Sequence, residues 1–148
     1  MPTVYISSVI NAPRDAVWNL IRDFNAMPSW HPLITRSVIE NDLPSDQIGC
    51  IRNFDLSDGT NLREKLLTLS DKDYVFAYKI EGVALGLSNY VAELTLHPVT
   101  NGNKCFGVWT ATFDCEPGLE DEKVAVVGQG VFQGGFDAME ITFGDCNK

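Results

Sequence analysis

The chain has 148 residues, 45% of them hydrophobic and 21% charged, which is ordinary for one globular domain, so residues 1–148 are taken as a single domain. Its net charge of −9 argues against nucleic acids and anionic membranes as partners, because both require a basic face. The N-terminal residues lack the features of a secretory signal, and no apolar stretch is long enough for a membrane span, so we expect a cytoplasmic protein.

The predicted elements begin with a strand and continue with helical segments. Residues 3–10 are rich in β-branched side chains and predict the strand. Residues 12–24 have the apolar spacing of an amphipathic helix, and residues 25–32, with two prolines, predict a short helix or loop. Six further strands, separated by Gly, Asn and Asp turns, are predicted at 34–40, 48–56, 60–69, 74–80, 89–99 and 104–114. This order indicates an α+β fold with an antiparallel sheet.

Residues 119–144 predict a long C-terminal helix. One face of this helix is apolar and carries Phe132, Phe136, Met139 and Phe143. The segment also contains four glycines, each of which costs about 1 kcal/mol relative to alanine in a helix: Gly128, Gly130, Gly134 and Gly135. Two explanations remain open, namely that the helix lies very close to the sheet or that it is soft.

Two neighbouring strands each place a charged residue in the middle of an inward-facing row. The rows follow from the two-residue period of a strand, and they consist of Ile48, Cys50, Arg52, Phe54 and Leu56 on the first strand and Thr60, Leu62, Glu64, Leu66 and Thr68 on the second. The opposite face of the second strand carries Arg63 and Lys65, which belong in water. Glu64 is therefore predicted to point inward, as is Arg52.

The length of the turn between these strands decides whether the two charges meet. A two-residue Asp-Gly loop would place Lys65 opposite Arg52 and turn one face inside out. A three-residue loop over residues 57–59 gives Gly59 the left-handed backbone that such loops favour. In that register Arg52 lies directly opposite Glu64, at a Cβ separation of roughly 5 Å. We choose the second register because it directs the inward-facing rows of both strands to the same side of the sheet.

A buried ion pair favours a cavity over a filled core. Each buried ion costs several kcal/mol in desolvation, which water or a polar ligand would reduce. Neighbouring strands of matching parity add aromatic walls, as small-molecule pockets have. The predicted ligand-binding residues are Cys50, Phe54, Leu66, Phe76, Tyr78, Tyr90, Trp109, Phe132 and Phe136.

The remaining candidate residues receive structural interpretations. None of the four cysteines forms a CxxC pair or lies at metal spacing from a histidine, so we predict free thiols and no metal or cofactor. His31 is either a base at the cavity mouth or a loop histidine packed by prolines. We favour the loop interpretation because no partner carboxylate is identifiable. Trp18 and Trp30 are expected in packing roles, and His97 in solvent.

Several segments together resemble the START-like helix-grip (SRPBCC) superfamily, and within it the polyketide cyclase/dehydratase-like branch: INAPRDAVWNLIRDFNAMPSWHP, IGCIRNF, LREKLLTL, VFAYKIEG, NYVAELTLHPV and VWTATFD. The resemblance covers nearly the whole chain and is weakest in the glycine-rich tail. It implies a seven-stranded antiparallel sheet wrapped around a long C-terminal helix, two short helices after strand 1, and an internal cavity. Plant lachrymatory-factor synthases, pollen-allergen-like carriers and abscisic acid receptors belong to the same superfamily.

The resemblance to lachrymatory-factor synthases implies roles for the charged pair. Glu64 would move a proton, and Arg52 would orient an oxygen or stabilise an oxyanion. Tyr78 and Tyr90 would assist as hydrogen-bond donors, with Trp109 as a stacking wall. The expected function is a cofactor-independent enzyme that cyclises, dehydrates or isomerises a small hydrophobic oxygenated molecule.

Other functions remain open. The protein is alternatively a carrier or sensor of a hydrophobic or amphipathic small molecule, with the glycine-rich helix as a gate, and the charged pair then serves binding or structure alone. A third option is a protein–protein module, which a dry core would support. Exposed sheet edges are compatible with a monomer or a homodimer.

Overall fold

Seven antiparallel strands form one sheet in the order β1-β7-β6-β5-β4-β3-β2, as seen in a computed structural model that describes residues 1–144. The strands are β1 Thr3–Ile10, β2 Ile34–Ile39, β3 Ile51–Leu56, β4 Asn61–Ser70, β5 Val75–Ile80, β6 Leu87–Val99 and β7 Lys104–Cys115. The predicted α+β class and the seven-stranded antiparallel sheet are confirmed. Strands β2 to β7 lie side by side in their chain order, as short hairpin connections require, and β1 pairs with β7.

Helical segments lie after β1 and after β7. The first region contains α1, Arg14–Ile21, and a 3₁₀ turn, Met27–Ser29, in agreement with the two predicted short helices; a second 3₁₀ turn, Glu40–Asp42, follows β2. The C-terminal region contains α2, Glu120–Ala125, a π-helical segment, Val126–Gln133, and α3, Gly134–Phe143. We call residues 120–143 the closing helix. The predicted long helix is confirmed, but its middle has π geometry, which sequence periodicity does not reveal.

The closing helix packs tightly against the sheet. Phe132, Phe136 and Met139 are fully buried, as predicted. A Cβ atom at Gly135 would lie 2.8 Å from Trp109 Cζ3, whereas a Cβ at Gly130 would meet nothing within 4 Å. Close approach to the sheet therefore explains Gly135, while Gly130 has no such packing reason.

The hairpin between β3 and β4 has the predicted three-residue loop. The Leu56 N–H donates to the Thr60 carbonyl at 2.8 Å, and Gly59 has a φ of +91°. Arg52 pairs directly with Glu64 across the two strands. The register chosen from the two facing rows is confirmed.

Two residues predicted to face inward do not: Ile48, at the start of the first row, and Thr68, at the end of the second. Ile48 is 54% exposed, because β3 begins only at Ile51 and Gly49, with a φ of +92°, breaks the alternation. Thr68 is exposed because an irregularity in the pairing between Leu66 and Thr68 shifts the register. A bulge of this kind adds a residue to one strand and exchanges its two faces beyond that point.

The other structural expectations concern cysteines, tryptophans and membrane insertion. Cys50, Cys105 and Cys115 carry free thiols, as predicted, and Cys146 lies outside the described residues. Trp18 and Trp30 are buried, and His97 is exposed. None of the helices in residues 1–144 has the length and apolar character needed to cross a bilayer. The cytoplasmic location stays a prediction.

Candidate functional site

The centre of the site is the ion pair between Arg52 and Glu64. Their side chains are only 3% and 7% exposed. Arg52 donates from Nε at 2.9 Å and from Nη2 at 2.7 Å, and both hydrogen bonds go to the same carboxylate oxygen, Glu64 Oε1. No donor in the described part of the chain bonds to Oε2, and Glu64 lines a cavity. One carboxylate oxygen thus accepts both bonds from Arg52, and the other accepts none from residues 1–144.

The guanidinium of Arg52 is fixed by aromatic rings as well as by Glu64. Its Nη1 donates to the Phe24 carbonyl at 3.1 Å, and its Cζ lies 3.9 Å from the centroid of the Phe24 ring. The rings of Tyr78 and Phe54 lie at 4.8 Å and 5.5 Å. Cation–π contacts strengthen when they are removed from water. The guanidinium is therefore held in one orientation.

Burial decides the protonation behaviour of Glu64. Desolvation raises the pKa of this carboxyl, and the charge and hydrogen bonds of Arg52 lower it, with a net shift upward from its ordinary value. A carboxyl whose pKa is moved toward neutral pH exchanges protons more readily with a bound molecule. Glu64 therefore has the electrostatic setting of a general acid or base.

Two phenols complete the polar part of the site. Burial raises the pKa of Tyr78 and of Tyr90, so both hydroxyls stay protonated. The Trp109 indole N–H donates to the Tyr78 hydroxyl oxygen at 3.1 Å. The Tyr78 hydroxyl is shared between the Trp109 indole and the Tyr90 hydroxyl, so these three side chains form one polar group.

These groups line a small, mostly buried cavity of about 40 Å³. Its walls are formed by Met27, Ile34, Arg52, Phe54, Leu56, Leu62, Glu64, Tyr78, Ile80, Leu85, Leu87, Tyr90, Trp109, Val127 and Val131. This volume holds on the order of two or three waters, whereas pockets for drug-sized ligands measure about 300–1,000 Å³. A larger ligand must therefore move part of the wall. The cavity offers a metal ion one carboxylate, and no three His, Cys, Asp or Glu side chains in residues 1–144 are grouped for one.

The predicted site residues divide into two groups. Those that line the cavity are Arg52, Phe54, Glu64, Tyr78, Tyr90 and Trp109. Those buried in the adjoining core are Cys50, Leu66, Phe76, Phe132 and Phe136. Phe132 illustrates the second group, since it stacks on Trp109 with ring centroids 4.4 Å apart. A role for either group in catalysis or ligand binding stays a prediction.

Sequence reasoning missed about half of the wall. The missed residues are Met27, Ile34, Leu56, Leu62, Ile80, Leu85, Leu87, Val127 and Val131. Strand parity contained the signal for Leu62 and Ile80, which lie on the same faces as Glu64 and Tyr78. No comparable signal existed for Leu85, which lies in a turn, or for Val131, which lies in the π-helical segment.

His31 is a structural residue beside the cavity. It is fully buried, with Nε2 2.9 Å from the Val131 carbonyl oxygen, and the Leu33 N–H donates to Nδ1 at 3.3 Å. These partners require the neutral tautomer with the proton on Nε2. Burial lowers the pKa of the imidazole, and the charge of Arg52 lowers it further. The interpretation of His31 as a packed loop histidine is confirmed, with the added finding that it binds the closing helix.

Two abscisic acid receptors of Arabidopsis thaliana are among the similar proteins. PYL7 is 32% identical over 99 residues, which is 65% of this chain and 46% of the receptor. PYL10 is 31% identical over 98 residues, or 64% of this chain and 52% of the receptor. The matched region thus spans about half the length of these relatives.

Solved structures share the fold over almost the full chain. A protein of Thermobifida fusca is 30% identical, with a TM-score of 0.86 and coverage of 97% of this chain and 93% of that one. The protein XoxI of Bacillus cereus is 24% identical, with a TM-score of 0.87 and coverage of 100% and 99%. Norcoclaurine synthase of Thalictrum flavum, solved as a point mutant with a transition-state analogue, is 14% identical, with a TM-score of 0.72 and coverage of 95% and 92%. The last two likenesses establish the fold alone.

A family model decides the classification. Residues 1–143 match the family described as "Polyketide cyclase / dehydrase and lipid transport". The match covers almost the whole chain, and it agrees with the sheet, the closing helix and the enclosed cavity. The chain therefore belongs to the polyketide cyclase/dehydrase and lipid transport family, within the START-like helix-grip superfamily.

Proposed function

We propose that the protein binds a small, largely apolar, oxygenated molecule in this cavity and exchanges a proton with it through Glu64, without a cofactor. One observation carries the proposal. Glu64 is a buried carboxyl with a raised pKa, bound to Arg52 through one oxygen only, in an otherwise apolar cavity. Perturbed ionisable groups in enclosed sites are enriched among catalytic residues.

The arrangement suits an isomerisation, cyclisation or dehydration driven by proton transfer. In the isomerisation case, the Glu64 carboxylate removes a proton from the carbon next to a carbonyl group. The electrons of that C–H bond form a carbon–carbon double bond, and the carbonyl oxygen takes the negative charge. Free N–H groups of Arg52 and the hydroxyl of Tyr78 stabilise this oxygen, and Glu64 returns the proton at another atom.

Relatives support binding of a small molecule but not one reaction. The fold is shared by a synthase and by hormone receptors, so fold alone does not distinguish catalysis from binding. Arg52 and Glu64 resemble the charged pair of lachrymatory-factor synthases. Sulfenic acids are therefore a second class of compounds to test.

The direct test is exchange of the α-hydrogens of a small apolar ketone, such as cyclohexanone, in D₂O, followed by NMR. We expect the wild-type protein to accelerate exchange and Glu64→Gln to reduce the acceleration by about 10²–10⁴-fold, because glutamine keeps the shape but cannot carry the proton. Glu40→Gln is the matched control, since Glu40 lies outside the cavity and should leave exchange unchanged. Equal acceleration by wild type and Glu64→Gln would sink the mechanism.

A carrier or receptor is the second candidate, favoured by the identity with abscisic acid receptors. In that case Glu64→Gln changes affinity, and no exchange is seen with any compound. Native mass spectrometry of gently purified protein separates the two functions. A bound small molecule in stoichiometric amount favours the carrier, since a catalyst rarely retains its substrate.

A further inference from the structure

The two edges of the sheet differ in how well they are protected against pairing with a further strand. β2, at one edge, has six residues, carries Arg36, and has an irregular register with β3 between Ile34 and Arg36. Short length, charge and bulges all discourage edge-to-edge pairing. β1, at the other edge, has eight residues and pairs with β7 in an unbroken register, and it contains no charged residue and no proline. The β1 edge therefore lacks the protection that the β2 edge has.

The pairing of β1 with β7 shows which backbone groups of β1 point outward. The Phe113 N–H donates to the Pro2 carbonyl at 3.3 Å, and the register continues from there without a shift along all of β1. In an antiparallel pair, alternate residues bond to the neighbouring strand, and the residues between them direct their N–H and C=O groups the other way. Even-numbered residues therefore bond to β7, and the outward groups belong to Thr3, Tyr5, Ser7 and Val9.

The outward N–H and C=O groups of these four residues form no hydrogen bond with another group in residues 1–144. The row is also open to solvent, because Thr3, Tyr5 and Ser7 are exposed and Val9 is half-buried. Tyr5 is 61% exposed although its side chain is a large aromatic ring. A long row of unpaired strand groups beside an exposed aromatic ring is typical of an edge that accepts another strand.

A groove beside the β1 edge adds contact surface. It measures about 250 Å³ and lies between β1 and the closing helix, where Ala125 and Gln129 are exposed. Asp121 is the single charged residue among those that line it, in a chain with a net charge of −9. A second copy of so acidic a chain is repelled by most of the surface, and it meets little repulsion at this neutral edge.

We propose that two copies of the chain pair their β1 strands antiparallel about a two-fold axis and form a homodimer with one continuous sheet. An antiparallel edge is complementary to itself, as a two-fold interface requires. The register that pairs Thr3 with Val9 and Tyr5 with Ser7 of the second copy bonds all the outward N–H and C=O groups, whereas any shift leaves some of them unpaired. The cavity and Glu64 take no part, so the inference is independent of the proposed function.

The test is analytical ultracentrifugation of the wild type and two lysine variants at protein concentrations from about 1 to 300 μM, where we expect the wild type to become dimeric. Tyr5→Lys places a charge in the middle of the β1 edge and should raise the dissociation constant of the dimer at least about tenfold. Val38→Lys is the matched control, because Val38 is an exposed apolar residue of the β2 edge and its replacement changes the net charge equally. This variant should associate as the wild type does.

Amide hydrogen exchange, followed by NMR, locates the interface. The N–H groups of Tyr5 and Ser7 should exchange more slowly as the protein concentration rises, because the dimer supplies their hydrogen-bond acceptors. A dimer in which these amides exchange as fast as in the monomer uses another surface and overturns the proposal.

Two ultracentrifugation results would also overturn it. A wild type that stays monomeric at the highest concentration leaves the β1 edge to an extended segment of a different protein. A dimer that Tyr5→Lys and Val38→Lys weaken equally is not formed through β1. Should Tyr5→Lys fail to fold, Ser7→Pro takes its place, because proline removes one outward N–H and none of the bonds to β7.

Discussion

Arginines on β3 and β4 form two ion pairs of equal length, one inside with Glu64 of β4 and one outside with Glu40 of the 3₁₀ turn after β2, and the two glutamates have pKa shifts of opposite direction. Arg52–Glu64 inside and Arg63–Glu40 outside both have a closest N–O distance of 2.7 Å. Hydrogen bonds from Arg63 and then Asn53 lower the pKa of Glu40 to about 2, whereas burial raises the pKa of Glu64. Hydration, and not distance, therefore decides which protonation state the protein favours.

The difference in hydration between the two pairs supports a functional role for the inner pair. An exposed pair keeps most of its water and adds little to stability. A buried pair loses that water, and the attraction between its ions repays the loss only in part. The inner pair is thus a poor means of stabilising a sheet, which agrees with the proton-transfer role proposed for Glu64.

Removal of the arginine from each pair should give the largest contrast. We expect Arg52→Met to lower the free energy of unfolding by about 3–5 kcal/mol at pH 7, because the buried Glu64 loses its partner and must either keep an unpaired charge or take up a proton. Arg63→Met should have a far smaller effect, since water screens the outer pair. Urea denaturation of both variants measures the contrast, and equal losses would show that burial does not distinguish the pairs.

The closing helix offers a second contrast, between Gly135, which packs against the sheet, and Gly130, which has open space beside it. Gly135→Ala should lower the free energy of unfolding by about 1–3 kcal/mol, because the new Cβ would overpack against Trp109. Gly130→Ala should raise it by up to about 1 kcal/mol, because the position is open and alanine favours the helix. Thermal or urea unfolding gives both values. Stabilisation by Gly135→Ala would mean that the helix is free to move away from the sheet.

The smallest expected effect is the change with pH in the stability that Glu40 and Glu64 contribute. Glu40, with its pKa near 2, stabilises the fold above about pH 4.5, and this contribution is lost as the pH falls from 4.5 toward 2. The stability contribution of Glu64 changes with pH in the opposite direction. Its raised pKa means that the folded state binds the proton more tightly, so stability is lost as the pH rises above 4.5 through the folded-state value.

The two glutamine variants separate these contributions. The stability of Glu64→Gln relative to wild type should rise with pH above 4.5, and that of Glu40→Gln should rise as the pH falls below 4.5. Urea midpoints between pH 3 and pH 8 measure both trends. A fall in the relative stability of Glu64→Gln with rising pH would mean that the attraction of Arg52 outweighs desolvation.

Much of the fold and the centre of the site were predictable from residue patterns. The alternation of side chains along β3 and β4, together with Gly59, was enough to place Arg52 opposite Glu64. The prediction failed where a local backbone feature interrupts the period, at Gly49 before β3 and at the bulge after Leu66. Such features depend on contacts with neighbouring strands, which a single strand's sequence does not contain.

The sequence by itself determined most of the elements and the inward direction of the charged pair, because these follow from short-range periodicity and turn chemistry. Tertiary structure alone decided the size of the cavity, the π geometry of Val126–Gln133 and the positive φ of Leu85. The size of the cavity depends on how closely the closing helix approaches the sheet, because Val127 and Val131 form part of its wall. That distance is set by packing between residues far apart in the chain, such as Gly135 and Trp109, and the glycines of the closing helix indicate a close approach without fixing its value.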